Sequence, residues 1–336
     1  MKVPTSQAQR QFVSLGSAGA VVDLQPVLLL LDGLVRSAGY VRMDEARTVF
    51  LDVREPSQRQ GRMWVRMAGR PGRRVVLFDA DEGQPTLPGL LGGTSGYLQS
   101  PGDPIYTRLA ARLGLRHVGC LSRCRRTLAE AIDTAGVPRG AIRIARDALS
   151  RIDALYAIEK EAEQLSSAQR QFVRRCKARP LLESFHPWLL SMRTRIAAWP
   201  AVARGFNELL QGWPGLTLYL EDGELEIDTS AVDAAIRAFS VGRDRWIVMA
   251  NRGDASHTAA LYSLMATARA NRLEPARYLR HLFESLPFAT SAERLKRLLP
   301  LAGLQKSAAS PAARPVVRHS ANVRRERIFL EQRSGS

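Results

Sequence analysis

The spacing of apolar residues changes period along the chain. Up to about residue 38 the apolar positions, among them Phe12, Val13, Leu15, Val27 to Leu31 and Leu34, read as helical, and Gly39-Tyr40 ends that region. From Val41 the period shortens. Val41 to Asp44 and Thr48 to Asp52 predict strand pieces, and Arg62 to Met67 alternates polar and apolar side chains as a half-buried strand does. Arg74 to Phe78 is a Val-rich strand, and Pro71-Gly72 marks the turn that makes the last two a hairpin. Gly96-Tyr97-Leu98 and His117-Val118-Gly119 predict short strands on either side of a helix around Tyr106 to Leu113.

From about Arg123 to Gly212 the pattern is helical. Leu149, Ile152 and Tyr156 share one helix face, which Leu155 and Ile158 widen. Glu159, Lys160, Glu161 and Glu163 form a charge run whose simplest reading is a solvated surface. Ala178-Arg179-Pro180 starts a new helix. Trp199-Pro200 and Trp213-Pro214 mark turns, because proline disfavours helix in the residue before it. Glu221-Asp222-Gly223 is a turn before a helix at Asp228 to Ala238, and Thr258 to Ala270, Pro275 to Ser285 and Ser291 to Leu299 complete the helical part. Three antiparallel strands followed by strand-helix-strand fit an α/β fold with an RNase H-like mixed sheet. The expected divisions are an N-terminal helical segment (1–38), the first part of the core (39–138), a long all-α insertion (139–225), a helical C-terminal part (226–303) and a disordered basic tail (304–336).

Composition narrows the partner. Hydrophobic residues make up 45% of the 336, enough for a sizeable core, and the formal net charge is +17. That basic excess points to a polyanion, most often nucleic acid, with an Arg-rich composition bias as the plain alternative. Cys120 and Cys124 stand four apart and Cys176 stands alone, which gives neither a disulfide framework nor the four ligands of a structural zinc site. The most apolar N-terminal run, Val27 to Leu31, is far short of the roughly 20 residues of a membrane span. The expectation is a cytoplasmic chain with no membrane partner, and the sequence leaves a homo-oligomer open.

A series of motifs then resembles one family. Asp44-Glu45 to Leu51-Asp52, Gly61-Arg62-Met63-Trp64, Gly96-Tyr97-Leu98-Gln99, His117-Val118-Gly119-Cys120, Leu155 to Glu159, Leu220 to Asp228, Gly242-Arg243 with Trp246, and Ala259 to Leu264 follow one another as in bacterial DDE-type transposases of the insertion-sequence-66 family. Single motifs of this kind are weak signals; their order and spacing over about residues 40 to 300 carry the resemblance. It implies a metal-dependent DNA strand-transfer enzyme in which two Asp and one Glu hold two Mg²⁺ or Mn²⁺ ions. Members of the family usually carry an N-terminal region with a zinc-binding motif, for which this chain has no suitable cysteine cluster and begins too late.

Carried over by position, the first aspartate is Asp44, retained as a catalytic and metal-ligating candidate. The second falls on Pro101, within Gly96 to Asp103, and Pro101 has no side-chain oxygen. Asp103, two residues on, is a rescue candidate, because residues i and i+2 of a strand share a face. Pro101 and Pro104 restrict that geometry. The glutamate falls on Asp233, which keeps a carboxylate one methylene shorter. The family's Trp and His after Cys120 are replaced, while Arg125 and Arg126 remain. The resemblance thus implies a transposase-like protein with impaired catalysis, or a non-catalytic DNA-binding remnant or regulator.

Plainer readings stand beside these. Asp44 read alone is a solvated acid at the end of a strand. Ser230 to Asp233 has the S-x-x-D spacing of a capping box, so Asp233 is as well explained by helix capping as by catalysis. Arg123, Arg125, Arg126, Arg243 and Arg245 are candidates for phosphate contact by charge alone. Trp246 is read as core in preference to a base-stacking residue, and His186, with no partner at metal spacing, as packed or exposed.

Overall fold

In the computed structural model the described residues are 23–51, 58–70, 72–81, 87–243 and 252–301. The expected basic tail, Arg245 and Trp246 lie outside them, as does the side chain of Arg243. Helix α1 (Gln25–Arg36) leads into strands β1 (Tyr40–Leu51), β2 (Gln58–Ala68) and β3 (Val75–Asp81). Then come α2 (Leu87–Leu91), β4 (Tyr97–Gln99), α3 (Pro104–Arg112) and β5 (Arg116–Val118). The five strands form one mixed sheet in the order β3-β2-β1-β4-β5. β1, β2 and β3 are antiparallel neighbours, and β4 and β5 run parallel to β1. The rest is mostly helix: α4 (Leu121–Ile132), α5 (Arg139–Glu161), α6 (Ser167–Val173), a π-helical turn (Arg174–Ala178), α7 (Arg179–Ile196), α8 (Pro200–Thr217), α9 (Ser230–Arg243), α10 (Arg252–Ala270), α11 (Pro275–Ser285) and α12 (Ala292–Arg297). No helix among the described residues is long and apolar enough to cross a membrane.

Alternation in β1 to β3 sorts side chains to the two faces of the sheet. Val41, Met43, Trp64, Ala68, Val75 and Leu77 pack with α1, α3, α11 and parts of α10. Met63, Val65, Met67, Val76 and Phe78 pack under Val232 and Phe239 of α9 and Ala259 of α10. A further core, centred on Leu128, Ile152, Leu155, Phe185 and Phe206, holds α4, α5, α7 and α8 together. Gly96 sits at the entry to β4 at φ +86, and an added Cβ would lie 2.1 Å from the Gly39 carbonyl oxygen. Gly96→Ala therefore combines a left-handed backbone with a backbone clash. We expect it to cost about 2–4 kcal/mol in urea denaturation, more than a surface change.

The outer edge of β3 is closed by side chains of α10. Ser263, Thr267 and Asn271 recur every four residues, about 6 Å along a helix, and meet Phe78, Val76 and Arg74, which recur every two, about 6.6 Å along a strand. Phe78 N–H donates to Ser263 Oγ (2.8 Å), Val76 N–H to Thr267 Oγ1 (3.0 Å) and Arg74 N–H to Asn271 Oδ1 (2.9 Å). Thr267 Oγ1 and Asn271 Nδ2 donate back to the carbonyls of Val76 (2.9 Å) and Arg74 (2.7 Å). An edge strand that would otherwise offer its backbone to another chain is thereby satisfied.

Several sequence expectations change in detail. Val41 to Asp44 and Thr48 onward form one continuous strand, so Asp44 lies in a strand interior and not at its end. Pro214 lies inside α8 and not at a turn. The last turns of that helix are fixed by tertiary contact: Gly119 N–H donates to the Gly215 carbonyl (3.0 Å), and Gly215 lies against the His117 and Gly119 backbone. The charge run is not wholly solvated, because Glu159 is mostly buried beneath Arg174.

Candidate functional site

Asp44 stands midway along β1, and Asp233 in the first turn of α9, which packs across β1. The fold brings the two carboxyl groups close enough for each to feel the other's charge. Asp44 Oδ1 accepts the Glu45 N–H at 2.7 Å, and Asp233 Oδ1 accepts the Thr229 hydroxyl at 3.4 Å. Burial, and then the facing Asp233 carboxyl, push the Asp44 carboxyl up to about 7, against the pull of the Glu45 N–H. Around neutrality Asp44 is thus still partly protonated. Glu45 is turned to Arg62 at 2.8 and 3.0 Å.

The cap of α9 is built differently from the S-x-x-D expectation. Ser230 is the first helical residue, and its N–H donates to Asp228 Oδ1 at 2.9 Å. Tyr156 donates to Asp228 Oδ2 at 2.7 Å, and the Thr229 carbonyl takes the N–H groups of Val232 and Asp233 at 2.9 Å. Asp228 and Thr229 do the capping, which leaves the Asp233 carboxylate facing Asp44.

β1 and β4 pair in parallel as Tyr40 with Tyr97, Val41 with Leu98 and Arg42 with Gln99. The ladder ends at Gln99, two residues before Pro101. Pro101, the position expected to carry the second acid, has no side-chain oxygen to offer. Asp103 is exposed and caps α3: Oδ1 accepts the Ile105 N–H at 2.9 Å. Among the described residues no three His, Cys, Asp or Glu side chains gather at metal-binding range. Asp103→Ala should cost about 1 kcal/mol of stability through the lost cap, with no change in divalent-ion affinity measured by calorimetry. A large loss of that affinity would show Asp103 acting as a ligand.

Near the ends of β4 and β5, buried Ser100 meets His117 Nε2 at 2.8 Å and Thr107 meets Nδ1 at 3.3 Å, and burial holds the His117 imidazole below its ordinary pKa. Of the arginine candidates on α4, Arg123 lays its stem near Gly102, Arg125 pairs with Asp153 at 2.7 Å, and Arg126 is exposed. His186 stacks on Trp213 with ring centroids 4.8 Å apart. All three cysteines are free, Cys120 and Cys124 buried and Cys176 exposed.

Two arginines escaped the sequence reading. Arg174 is fully buried and uses all five guanidinium N–H groups. It donates to Glu159 at 2.8 and 2.6 Å, and to the carbonyls of Tyr219 (2.8 Å), Asp222 (2.9 Å) and Leu225 (2.9 Å). Arg42, 1% exposed, pairs with Glu226 and donates to the Gly69 carbonyl at 2.7 Å. Both grip the segment that delivers Asp233. Arg42 stands between Val41 and Met43, whereas Arg174 lies in a basic stretch that gives no sign of burial.

The fold and the acidic pair define a mixed α/β protein with a carboxylate-centred site where β1, the end of β4 and α9 meet. Residues 7–257 match the profile of the transposase IS66 family and residues 263–301 that of the IS66 C-terminal element, so the chain belongs to the IS66 transposase family. It is 26% identical over 309 residues to the uncharacterized protein y4hP of Sinorhizobium fredii (strain NBRC 101917 / NGR234), covering 87% of this chain and 55% of that protein. The uncharacterized protein y4jD of the same strain is 25% identical over 291 residues, covering 82% of this chain and 56% of its own. The chain thus spans about half the length of these curated relatives.

Proposed function

We propose that this chain is the body of a DDE-type DNA transposase on an RNase H-like core, impaired in strand transfer, and that it now acts by binding DNA. The observation that carries the reading is the approach of Asp44 and Asp233, with Pro101 at the position where the resemblance expects the second acid. The RNase H-like assignment is supported by the strand order, with three antiparallel strands followed by two parallel ones, and by the long helical stretch between β5 and α9.

The donor set decides what metal chemistry fits. Two carboxylates at one place can hold a single Mg²⁺ or Mn²⁺ ion, with Asp44 and Asp233 as ligands. Phosphodiester transfer by paired ions needs further carboxylate ligands to neutralise and space them. Pro101 supplies none and the Asp103 carboxylate is engaged at the cap of α3. The residues therefore do not fit two ions, and no transfer step follows from them.

Calorimetry with Mn²⁺ should give at most one weak site per chain, lost in Asp44→Ala. A supercoiled plasmid should survive incubation with the protein and Mn²⁺ uncut, while duplex DNA is bound at low salt and released as salt rises. Mn²⁺-dependent cleavage that disappears in Asp103→Ala would overturn the impairment and favour an active enzyme. Absence of DNA binding at low salt would remove the DNA reading altogether.

A further inference from the structure

Buried polar atoms in native proteins find partners, so an orphan calls for a ligand, an ion or an ordered water. Among the described residues seven buried side-chain nitrogen or oxygen atoms have no hydrogen-bond partner, and three of these are the Nε atoms of Arg42, Arg74 and Arg170. All three line the segment Glu224 to Glu226. Arg42 and Arg74 share the single carboxylate of Glu226, the latter at 3.1 Å. Arg70, on the same hairpin as Arg74, pairs with Glu224, and Arg170 of α6 faces Arg70 and Glu224. Four guanidinium groups thus face two carboxylates. The neighbouring Arg174 is paired with Glu159 and also repels Arg170. Burial, and then repulsion from Arg42 at Arg74 and from Arg174 and Arg70 at Arg170, hold these two below the ordinary arginine pKa.

We propose that Arg42, Arg70, Arg74 and Arg170 form an oxyanion site for phosphate, either a phosphodiester of a nucleic-acid backbone or a free phosphate ion. Guanidinium groups present N–H pairs in a planar fork that matches phosphate oxygens; a free phosphate dianion would offset both uncompensated charges and a backbone phosphodiester one of them. Arg42 and Asp44 share one face of β1 two residues apart, about 7 Å along the strand. A backbone phosphate held here would therefore run beside the acidic pair. Only the nucleic-acid source rests on the proposed function; the site itself does not.

The test compares wild type, Arg70→Gln and Arg74→Gln, with melting curves to confirm folding; Arg70 is 41% exposed and its replacement should leave the fold intact. The probes are inorganic phosphate by calorimetry at low ionic strength and a random-sequence duplex by fluorescence anisotropy across a salt series. The expected result is phosphate binding that is lost in Arg74→Gln and at least roughly fivefold weaker in Arg70→Gln. Duplex affinity should fall about tenfold in each variant, with the slope of log K against log salt shallower by about 1. Phosphate loss with unchanged duplex binding supports the site and assigns it to a free anion. Unchanged binding of both probes in both variants, or no phosphate binding by wild type together with an unchanged duplex slope, overturns it. Wild type that binds phosphate through Arg74 but no duplex would overturn the proposed function and leave the site standing.

Discussion

Asp44→Asn should raise the melting temperature at pH 8 by roughly 5–10 °C and flatten the pH dependence of stability between about pH 4 and pH 8. In the unfolded chain the Asp44 carboxyl titrates near its ordinary 3.8, whereas in the folded chain it holds its proton up to about 7. Between those values the folded state binds more protons than the unfolded one, so stability falls as pH rises. Above pH 7 the whole penalty is present. The interval corresponds to at most about 4 kcal/mol, reduced by whatever solvent reaches the half-buried group. Asp233→Asn should recover only part of it, because burial ranks ahead of the Asp233 charge as the cause. Mn²⁺ at pH 8 should stabilise wild type and not Asp44→Asn, since an ion beside the deprotonated Asp44 offsets the buried charge. A wild-type stability curve that stays level from pH 4 to pH 8 would sink this account.

Arg174→Ala should be the most damaging single change in the helical part, costing about 3–5 kcal/mol in chemical denaturation. Removing the guanidinium strands Glu159 as a mostly buried carboxylate and leaves the carbonyls of Tyr219, Asp222 and Leu225 without their donor. Arg174→Lys should recover little, because an ammonium offers three donors from a point and cannot reproduce a five-donor planar fork. The damage should reach the site: with the Tyr219 to Leu225 turn released, α9 loses its fixed approach to β1. The Asp44 titration, followed by carboxyl-selective NMR, should then move down from about 7 in Arg174→Lys even where the chain stays folded. A lysine variant with wild-type stability and an unmoved titration would show that the clasp neither stabilises nor positions.

Local physics made much of this protein legible in its sequence. Period-two alternation in Arg62 to Met67 and the turn at Pro71-Gly72 gave the β2–β3 hairpin, and helical spacing at Leu149, Ile152 and Tyr156 gave the buried face of α5. The order of motifs gave the family, and the positions it assigned to Asp44 and Asp233 are held together in space. None of those inferences required knowing what lies across the fold. Tertiary structure decided the rest, because each remaining question turned on contacts that spacing along the chain does not fix. Pro214 stays helical since Gly215 docks on the backbone around Gly119. Glu159 looked solvated until Arg174 was placed over it. Ser230 looked like a cap until Asp228 and Thr229 took that role and left Asp233 facing Asp44. A carboxyl near neutrality and a cluster of under-neutralised arginines are likewise invisible in a linear sequence, since burial and facing charge, which set both, exist only once the chain has folded.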